Sequence, residues 1–428
     1  MSLNVTESRR NSLRVLYIDS AGPFGGAGRS LYESVTGLVA RHCVQAFFLA
    51  TDGTIVPYYS KVATDIMTVR GMPKFDNTWR GRYRGVRWLI LLREILLVPI
   101  FVFGAVRARV RFGAMDIVHA NEILEIAPLL FAKFLFGGKA VLHVRSLQSQ
   151  EHLSFRNRLT YFFIKRFVDA VIAIDEGVKR TLPRGVKCYV VNNAFSEADD
   201  SLPKDHALCG KLAEIPEASV RIGFVGNLYR SKGIIESIKA IDMLRNLGVD
   251  AVFLVLGGAT RRTAGLFSQA IRRLGLEDNV DDVVMSMIQE LRLESKVVML
   301  GSSDDIGQFY RSIDLLCFAT WLDAPGRPVF EAAFFSRPSL VSVRLPTPDT
   351  LIHGVTGIAI DRPDPSLICN AIKELLSDRE RMLRMGAAAR ELALKNNCPT
   401  INAARIYEIY RRLCAEQRET DSVGVRGF

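Results

Sequence analysis

Two acids eight positions apart offer the clearest chemistry in this chain. In WLDAPGRPVFEAAFFSRPSLV, from Trp321 to Val341, Asp323 sits in a loop with Pro325 and Gly326, and Glu331 opens the apolar run AAFF that Arg337 and Pro338 stop. A carboxylate accepts two hydroxyl hydrogen bonds at once, which suits vicinal diols on a sugar or a ribose. SIDLLCFAT before the stretch and SLVSV, which begins at its end, read as strands. The order is strand, loop, short helix, strand. In an open α/β sheet ligands sit at the carboxyl ends of the strands, where both acids would project. On spacing alone, a capped helix with two solvated acids accounts for the stretch equally well.

Other segments could hold a phosphate. LRVLYID, Leu13 to Asp19, reads as a buried parallel strand, and Gly22, Gly25, Gly26 and Gly28 follow it before a helix with Leu31, Val35, Leu38 and Val39 on one face. Such a turn lets backbone N–H groups approach a phosphate. It is not GxGxxG and carries no P-loop lysine, so a tight turn without a ligand stands beside that reading. Further on, RIGFVG is a strand, Asn227 to Lys232 a loop, and Gly233 starts a helix carrying Ile234, Ile235, Ile238 and Ile241. A lysine at a helix start is electrostatically unfavourable without an anion, which favours a ligand role for Lys232 over a solvated one. Gly257 and Gly258 end the strand AVFLVL. His119 and His143 lie near the ends of the strands DIVHA and AVLHV, where a histidine is more often a core residue than a catalyst.

These segments together resemble the retaining GT-B glycosyltransferases of family four, from about Arg14 to Cys414. The family pattern is Glu, seven residues, Glu, Ala, then Gly-x-Pro. Asp323 stands at the first acid, while Glu331, Ala332 and Pro338 match and Ser336 replaces the glycine. The resemblance implies that the first acid contacts the donor sugar and the second holds the ribose. The pattern G-R, four residues, K-G clamps the donor diphosphate; Lys232 and Gly233 match, Asn227 takes the place of the arginine, and Arg230 lies near enough to substitute. Gly25, Gly26, Gly257 and Gly326 fall on loops that border the donor. The family's functional histidine aligns with Arg145, and Asn121 falls where a second histidine is common. Arg145 could steady a phosphate or sugar hydroxyl but cannot act as a base.

The resemblance also implies an α/β fold of the GT-B type, with two Rossmann-like domains facing across a cleft. The N-terminal, acceptor-side domain would cover residues 1–200, with a helix near 400–416 returning to it, and the nucleotide-sugar-binding domain would cover 217–396, beyond a polar linker at 196–219. The implied reaction moves a sugar from a nucleoside diphosphate sugar, as co-substrate, to a hydroxyl acceptor with retention. No cofactor and no metal is implied, and the DD pairs at 199, 281 and 304 read as surface. A GT-B epimerase and a non-catalytic nucleotide-sugar-binding protein are the alternatives; the first needs acid/base pairs, and Asn227 favours the second.

Composition sets the wider frame. The chain has 428 residues, enough for two domains, and 49% hydrophobic residues. A net charge of +11 favours acidic partners, and without a recognition motif or basic–aromatic interleaving nucleic acid is not among them. Seven scattered cysteines without a CxxC pair suit reduced thiols in a cytoplasm, and the N-terminus lacks the apolar core of a signal peptide. Residues 80–111 carry eight arginines and one acid, Glu94, around the apolar run WLILLREILLVPIFVFGAV. Arg93, Glu94 and Pro99 interrupt that run, so one or two partly buried helices with an arginine rim are expected. Such a surface can lie on an anionic membrane; an amphipathic core helix with a solvated basic face is the other reading. With the resemblance, this points to a lipid-linked or glycan acceptor in bacterial polysaccharide or O-antigen synthesis. The setting would be the inner face of the cytoplasmic membrane.

Overall fold

The computed structural model describes residues 12–20, 22, 25–74, 88–148, 155–196, 205–258, 280–303 and 305–425. Part of the Gly-rich turn, the arginines at 80, 82, 84 and 87, part of the expected linker, most of the segment 260–296, Asp304 of the pair at 304, and the final residues lie outside them. The chain divides into two units, Met1–Phe195 with Asn396–Phe428, and Ser196–Lys395.

The first unit is built on seven parallel strands, β1 Leu13–Asp19, β2 Val44–Thr51, β3 Asp65–Val69, β4 Ile117–Ala120, β5 Lys139–Val144, β6 Ala170–Ala173 and β7 Cys188–Val190, in the order β3-β2-β1-β4-β5-β6-β7. The central strands are runs of Val, Ile, Leu and Ala buried on both faces, as helices on either side of a parallel sheet require. Helix α1, Gly26–Arg41, and the C-terminal helix Pro399–Val425 pack on one side. The long helix, α2 Trp88–Phe112, with α3 Ile126–Phe136 and α4 Phe155–Phe167, covers the other.

Of the one or two helices expected over this run there is one, α2, which continues through Pro99. A proline inside a helix removes one backbone bond at a cost of about 3 kcal/mol. Pro99 is exposed, and the stripe Glu94, Phe101, Gly104, Ala105, Ala108 and Phe112 is buried along the helix on both sides of it. A Cβ at Gly104 would come 2.3 Å from Val69 Cγ1, so glycine is what allows α2 this close to β3.

The second unit holds six parallel strands, β8 Val220–Val225, β9 Ala251–Leu256, β10 Val297–Gly301, β11 Leu315–Phe318, β12 Ser339–Ser342 and β13 Gly357–Ile360, in the order β10-β9-β8-β11-β12-β13. Helix α5, Ile234–Asn246, follows β8, and α6, Arg327–Phe334, follows β11. The end of the stretch expected to be a polar linker is structured instead. Asp205 caps the helix His206–Ala213 by accepting from Leu208 N at 3.0 Å, and Leu208 and Leu212 are buried, which ties that helix to the second unit.

In both sheets the strands are all parallel and the strand order reverses at the centre, between β1 and β4 and between β8 and β11. The loops leaving these strands flank the topological switch point, where ligands bind in open α/β sheets. Two Rossmann-like units of this kind make up the GT-B fold.

Candidate donor site of the second unit

Gly226, after β8, and Gly257, after β9, both have strongly positive φ, 143° and 136°. The two loops touch: a Cβ on Gly257 would lie 2.0 Å from the Gly226 carbonyl oxygen, and Gly226 N donates to Leu256 O at 3.0 Å. Only glycine permits this approach, and it leaves the rim of the strands free of side chains. Asn227 and Arg230 are exposed on the same loop.

Arg230–Lys232 forms a 3₁₀ turn that ends at Gly233, left-handed at φ 72°, before α5 begins. The turn is tied to the loop after β11. Trp321 N and Thr320 Oγ1 both donate to Ser231 O at 3.0 Å. The ammonium of the half-buried Lys232 stands 5.3 Å from the centroid of the Phe318 ring. Lys232, the N-terminus of α5 and the Thr320–Asp323 loop are thus held side by side, a combination suited to an anion.

The two acids behave differently. Asp323 lies at φ 52°, a left-handed conformation that Asp tolerates better than most residues. Its carboxylate accepts Arg344 N at 2.8 Å and Arg344 Nε at 3.0 Å. With side chains 38% and 71% exposed, this pair is worth about 0–1 kcal/mol and can exchange for a ligand hydroxyl at little cost. Glu331 is buried at 4% exposure, on α6. Its Oε1 lies 2.5 Å from Arg327 Nε, one turn earlier on the helix, and its Oε2 accepts from Tyr310 OH at 2.8 Å. Each oxygen keeps a second acceptor direction. Gly326, at φ 68°, caps α6 where a Cβ would come 2.7 Å from Phe318 Cε1.

The second unit therefore collects Lys232, Arg230, Asn227, Gly257, Asp323, Gly326 and Glu331 at the carboxyl ends of its strands. The sequence reading did not single out the partners Arg344, Arg327 and Tyr310. Arg327 carried a signal, since residues four apart on a helix are neighbours. Tyr310 and Arg344 come from other segments and carried none.

Gly25, Gly26 and Arg145 belong to the first unit. Gly25 is the N-cap of α1, with Gly26 its first residue, and both are exposed. Arg145, just past β5, donates from Nε to Asn121 Oδ1 at 2.8 Å and from a terminal nitrogen to Asn193 Oδ1. Asn121 in turn donates to Asp19 Oδ1 at 3.3 Å, and Tyr59 OH donates to Asp19 Oδ2 at 2.5 Å. The cluster sits at the switch point of this sheet. Glu125, beneath it, accepts from Ser20 N, Ser20 Oγ, Asn121 N and Glu122 N. Burial and the neighbouring Asp19 push the Glu125 carboxyl upward, against the bonds from Ser20 and Asn121.

His119 and His143 are buried, as core histidines would be, but not fully satisfied. His119 Nδ1 lies 2.5 Å from Tyr410 OH, while the Nε2 atoms of both rings are buried without a partner. Burial, then the Arg145 charge, lowers His119 to about 3 and His143 well below its usual value. Both rings are neutral near pH 7, so neither supplies an acid.

Comparison with known proteins places the second unit. Residues 212–392 match the family model described as glycosyl transferases group 1. The second unit is a group 1 glycosyltransferase domain. Among curated proteins, this chain is 24% identical over 170 residues to the capsular polysaccharide biosynthesis glycosyltransferase CapM of Staphylococcus aureus, covering 40% of each chain. It is 25% identical over 211 residues to D-inositol 3-phosphate glycosyltransferase of Corynebacterium glutamicum, covering 47% of this chain and 46% of the relative. These alignments span less than half of either relative's length.

Solved structures share the fold over nearly the whole chain. Anabaena HepE, crystallised with UDP and glucose, superposes with a TM-score of 0.69 at 19% identity, covering 93% of this chain and 99% of that one. A TarM variant from Staphylococcus aureus, crystallised with UDP among other ligands, gives 0.65 at 9% identity, covering 93% and 99%. The chain thus has the GT-B fold, and the group 1 domain carries the loops with Lys232, Asp323 and Glu331.

Proposed function

We propose that this chain transfers a glycosyl group from a nucleoside diphosphate sugar to a hydroxyl acceptor, with retention at the anomeric carbon and without a metal. The observation that carries this reading is the junction of the Lys232 turn with the Asp323 loop, through Ser231 O, at the switch point of the group 1 domain. In the proposed roles, Lys232, with Arg230 in place of the absent arginine at Asn227, offsets the negative charge that grows on the departing diphosphate. The glycine pair Gly226 and Gly257 gives the diphosphate or base access to bare backbone. Asp323 exchanges Arg344 for sugar hydroxyls, and Glu331, held in one orientation by Arg327 and Tyr310, accepts from the ribose. On the first unit, Gly25 and Gly26 open a helix N-terminus, and Arg145, fixed by Asn121 and Asn193, presents a donor to a phosphate or an acceptor hydroxyl.

The acceptor in this reading is a lipid-linked glycan of bacterial polysaccharide or O-antigen synthesis, met at the inner face of the cytoplasmic membrane. The UDP found in HepE and TarM makes UDP-sugars the first donors to try. A panel of UDP-, GDP-, dTDP- and ADP-sugars, read by thermal shift and donor hydrolysis, tests the reading. Stabilisation by one nucleotide class, lost in Lys232→Ala and Glu331→Ala, is expected. Indifference to every donor would overturn it.

The exposed Asn227 keeps a second reading in view, a nucleotide-sugar-binding protein without turnover. Asn227→Arg separates the two. A gain of donor hydrolysis from an inactive baseline would favour that second reading, whereas an active baseline that the variant leaves unchanged assigns the charge to Arg230.

A further inference from the structure

A helix that is apolar all round is ordinarily buried all round. Helix α2 is not. Its inner stripe sits on the sheet, while Leu92, at 53%, Leu96, at 64%, and Phe103, at 65%, stand in the open on the outer side. The pattern continues over its neighbours. Helix α3 packs beside α2, with Phe101 edge-on to Phe131 at 5.8 Å and Arg109 Nε donating to Leu135 O at 3.0 Å. Helix α4 follows beside α3, where Lys133 Nζ donates to Phe167 O at 2.8 Å. The outer faces of these two add Phe134, at 89% exposure, Phe155, at 78%, and Phe162, at 57%.

Charge on these helices is one-sided as well. Together α2, α3 and α4 hold nine Lys and Arg and a single acid, Glu94. Glu94 is buried, where it accepts from Lys74 N and Arg93. Helix α1, on the opposite side of the same sheet, mixes Glu33 with its arginines. Arg93, Arg111 and Lys133 pair with Glu94, Asp65 and Asp169, and the other cations are in excess over acids on these helices. An outer surface of large apolar side chains set among excess cations fits one kind of partner, an anionic lipid surface.

We infer that the first unit seats on an anionic bilayer through the outer faces of α2, α3 and α4, lying in the interface. Although α2 is long and apolar enough to cross a membrane, it does not span one. Spanning would strip Phe101, Ala105, Ala108 and Phe112 from the core of the sheet and carry Glu94 into hydrocarbon. The seat goes beyond the transfer reaction and is measured without any donor, so either can fail while the other stands.

The experiment is flotation of the full chain with vesicles of phosphatidylcholine alone and of phosphatidylcholine with phosphatidylglycerol, at low and high salt. Binding to the anionic vesicles at least about tenfold tighter than to the neutral ones, weakened by salt, is expected from several cations near the surface. Phe103→Glu and Phe162→Glu should each weaken it by about tenfold or more, with melting temperatures unchanged because both side chains are exposed. Several results overturn the proposal: equal binding to neutral vesicles, binding untouched by Phe162→Glu, or release only by detergent and not by alkaline carbonate, the mark of a spanning helix. A vesicle-indifferent dimer dispersed by Phe103→Glu would also overturn it, by assigning the face to a second copy of the chain.

Discussion

Glu331 Oε1 lies 2.5 Å from Arg327 Nε, with the two side chains 5% and 12% exposed. The pair is one helical turn long and almost out of water, which sets it apart from the open Asp323–Arg344 contact. Removing one partner of a buried pair leaves an uncompensated charge, at a cost of roughly 3–5 kcal/mol for full burial. Arg327→Met is therefore expected to lower the unfolding free energy by about 3 kcal/mol. Tyr310→Phe, which removes only the second hydrogen bond to Glu331, should cost about 1–2 kcal/mol. Urea unfolding of the two variants checks the order; equal small losses would show that Glu331 is not held as described.

Gly233 makes the Arg230–Lys232 turn possible. At φ 72°, with a built Cβ only 1.7 Å from the Ala319 carbonyl oxygen, it has neither the conformation nor the space for a side chain. Gly233→Ala must push the Arg230–Lys232 turn away from the β11 loop. A loss of about 2–4 kcal/mol is expected from the clash and the left-handed backbone together. Thermal stabilisation by a donor should disappear with it. A variant of unchanged midpoint and unchanged donor response would mean that the turn does not position the site.

Ser336 offers a change in the other direction. It stands at φ 56°, where the family pattern carries glycine, and its carbonyl lies against Gly386 so closely that a Cβ there would come within 2.1 Å. A left-handed residue with a Cβ costs roughly 1–2 kcal/mol, of which the greater freedom of glycine in the unfolded chain returns part. Ser336→Gly is expected to stabilise the protein by up to about 1 kcal/mol, read from the urea midpoint, with donor response unaltered.

Much of this was legible in the chain itself. Runs such as LRVLYID and AVFLVL are buried on both faces of a parallel sheet, so their composition announces them, and the glycines at 226, 233, 257 and 326 occupy positions of positive φ. The position of Glu331 on a helix was legible too, but not its partners. Tyr310 approaches from a helix 21 residues earlier, through packing that no local pattern encodes. Whether one helix or two cover 88–112 was not legible, because the local effect of Pro99 is outweighed by a buried stripe extending on both sides of it. The α2 part of the apolar outer surface was legible, but its continuation over α3 and α4 was not, because Phe134, Phe155 and Phe162 join it only once three helices lie side by side.

The buried histidines make the first unit acid-sensitive. His119 is lowered to about 3 in the folded chain, against about 6.5 when unfolded. Between those values the unfolded state binds the proton and the folded state does not, so stability is full above pH 6.5 and is lost as pH falls toward 3. The slope is about 1.4 kcal/mol per pH unit for each such group. Glu125, pushed upward, works in the opposite sense across its own range, losing stability as pH rises, and so tempers the net effect. His119→Gln removes one titration and keeps a side-chain group able to pair with Tyr410 OH. Urea unfolding at pH 7, 6 and 5 should show the wild-type chain falling more steeply than the variant, by about 1 kcal/mol per unit. Parallel curves would mean that His119 is protonated in the folded protein, and that the unpartnered Nε2 has found an acceptor.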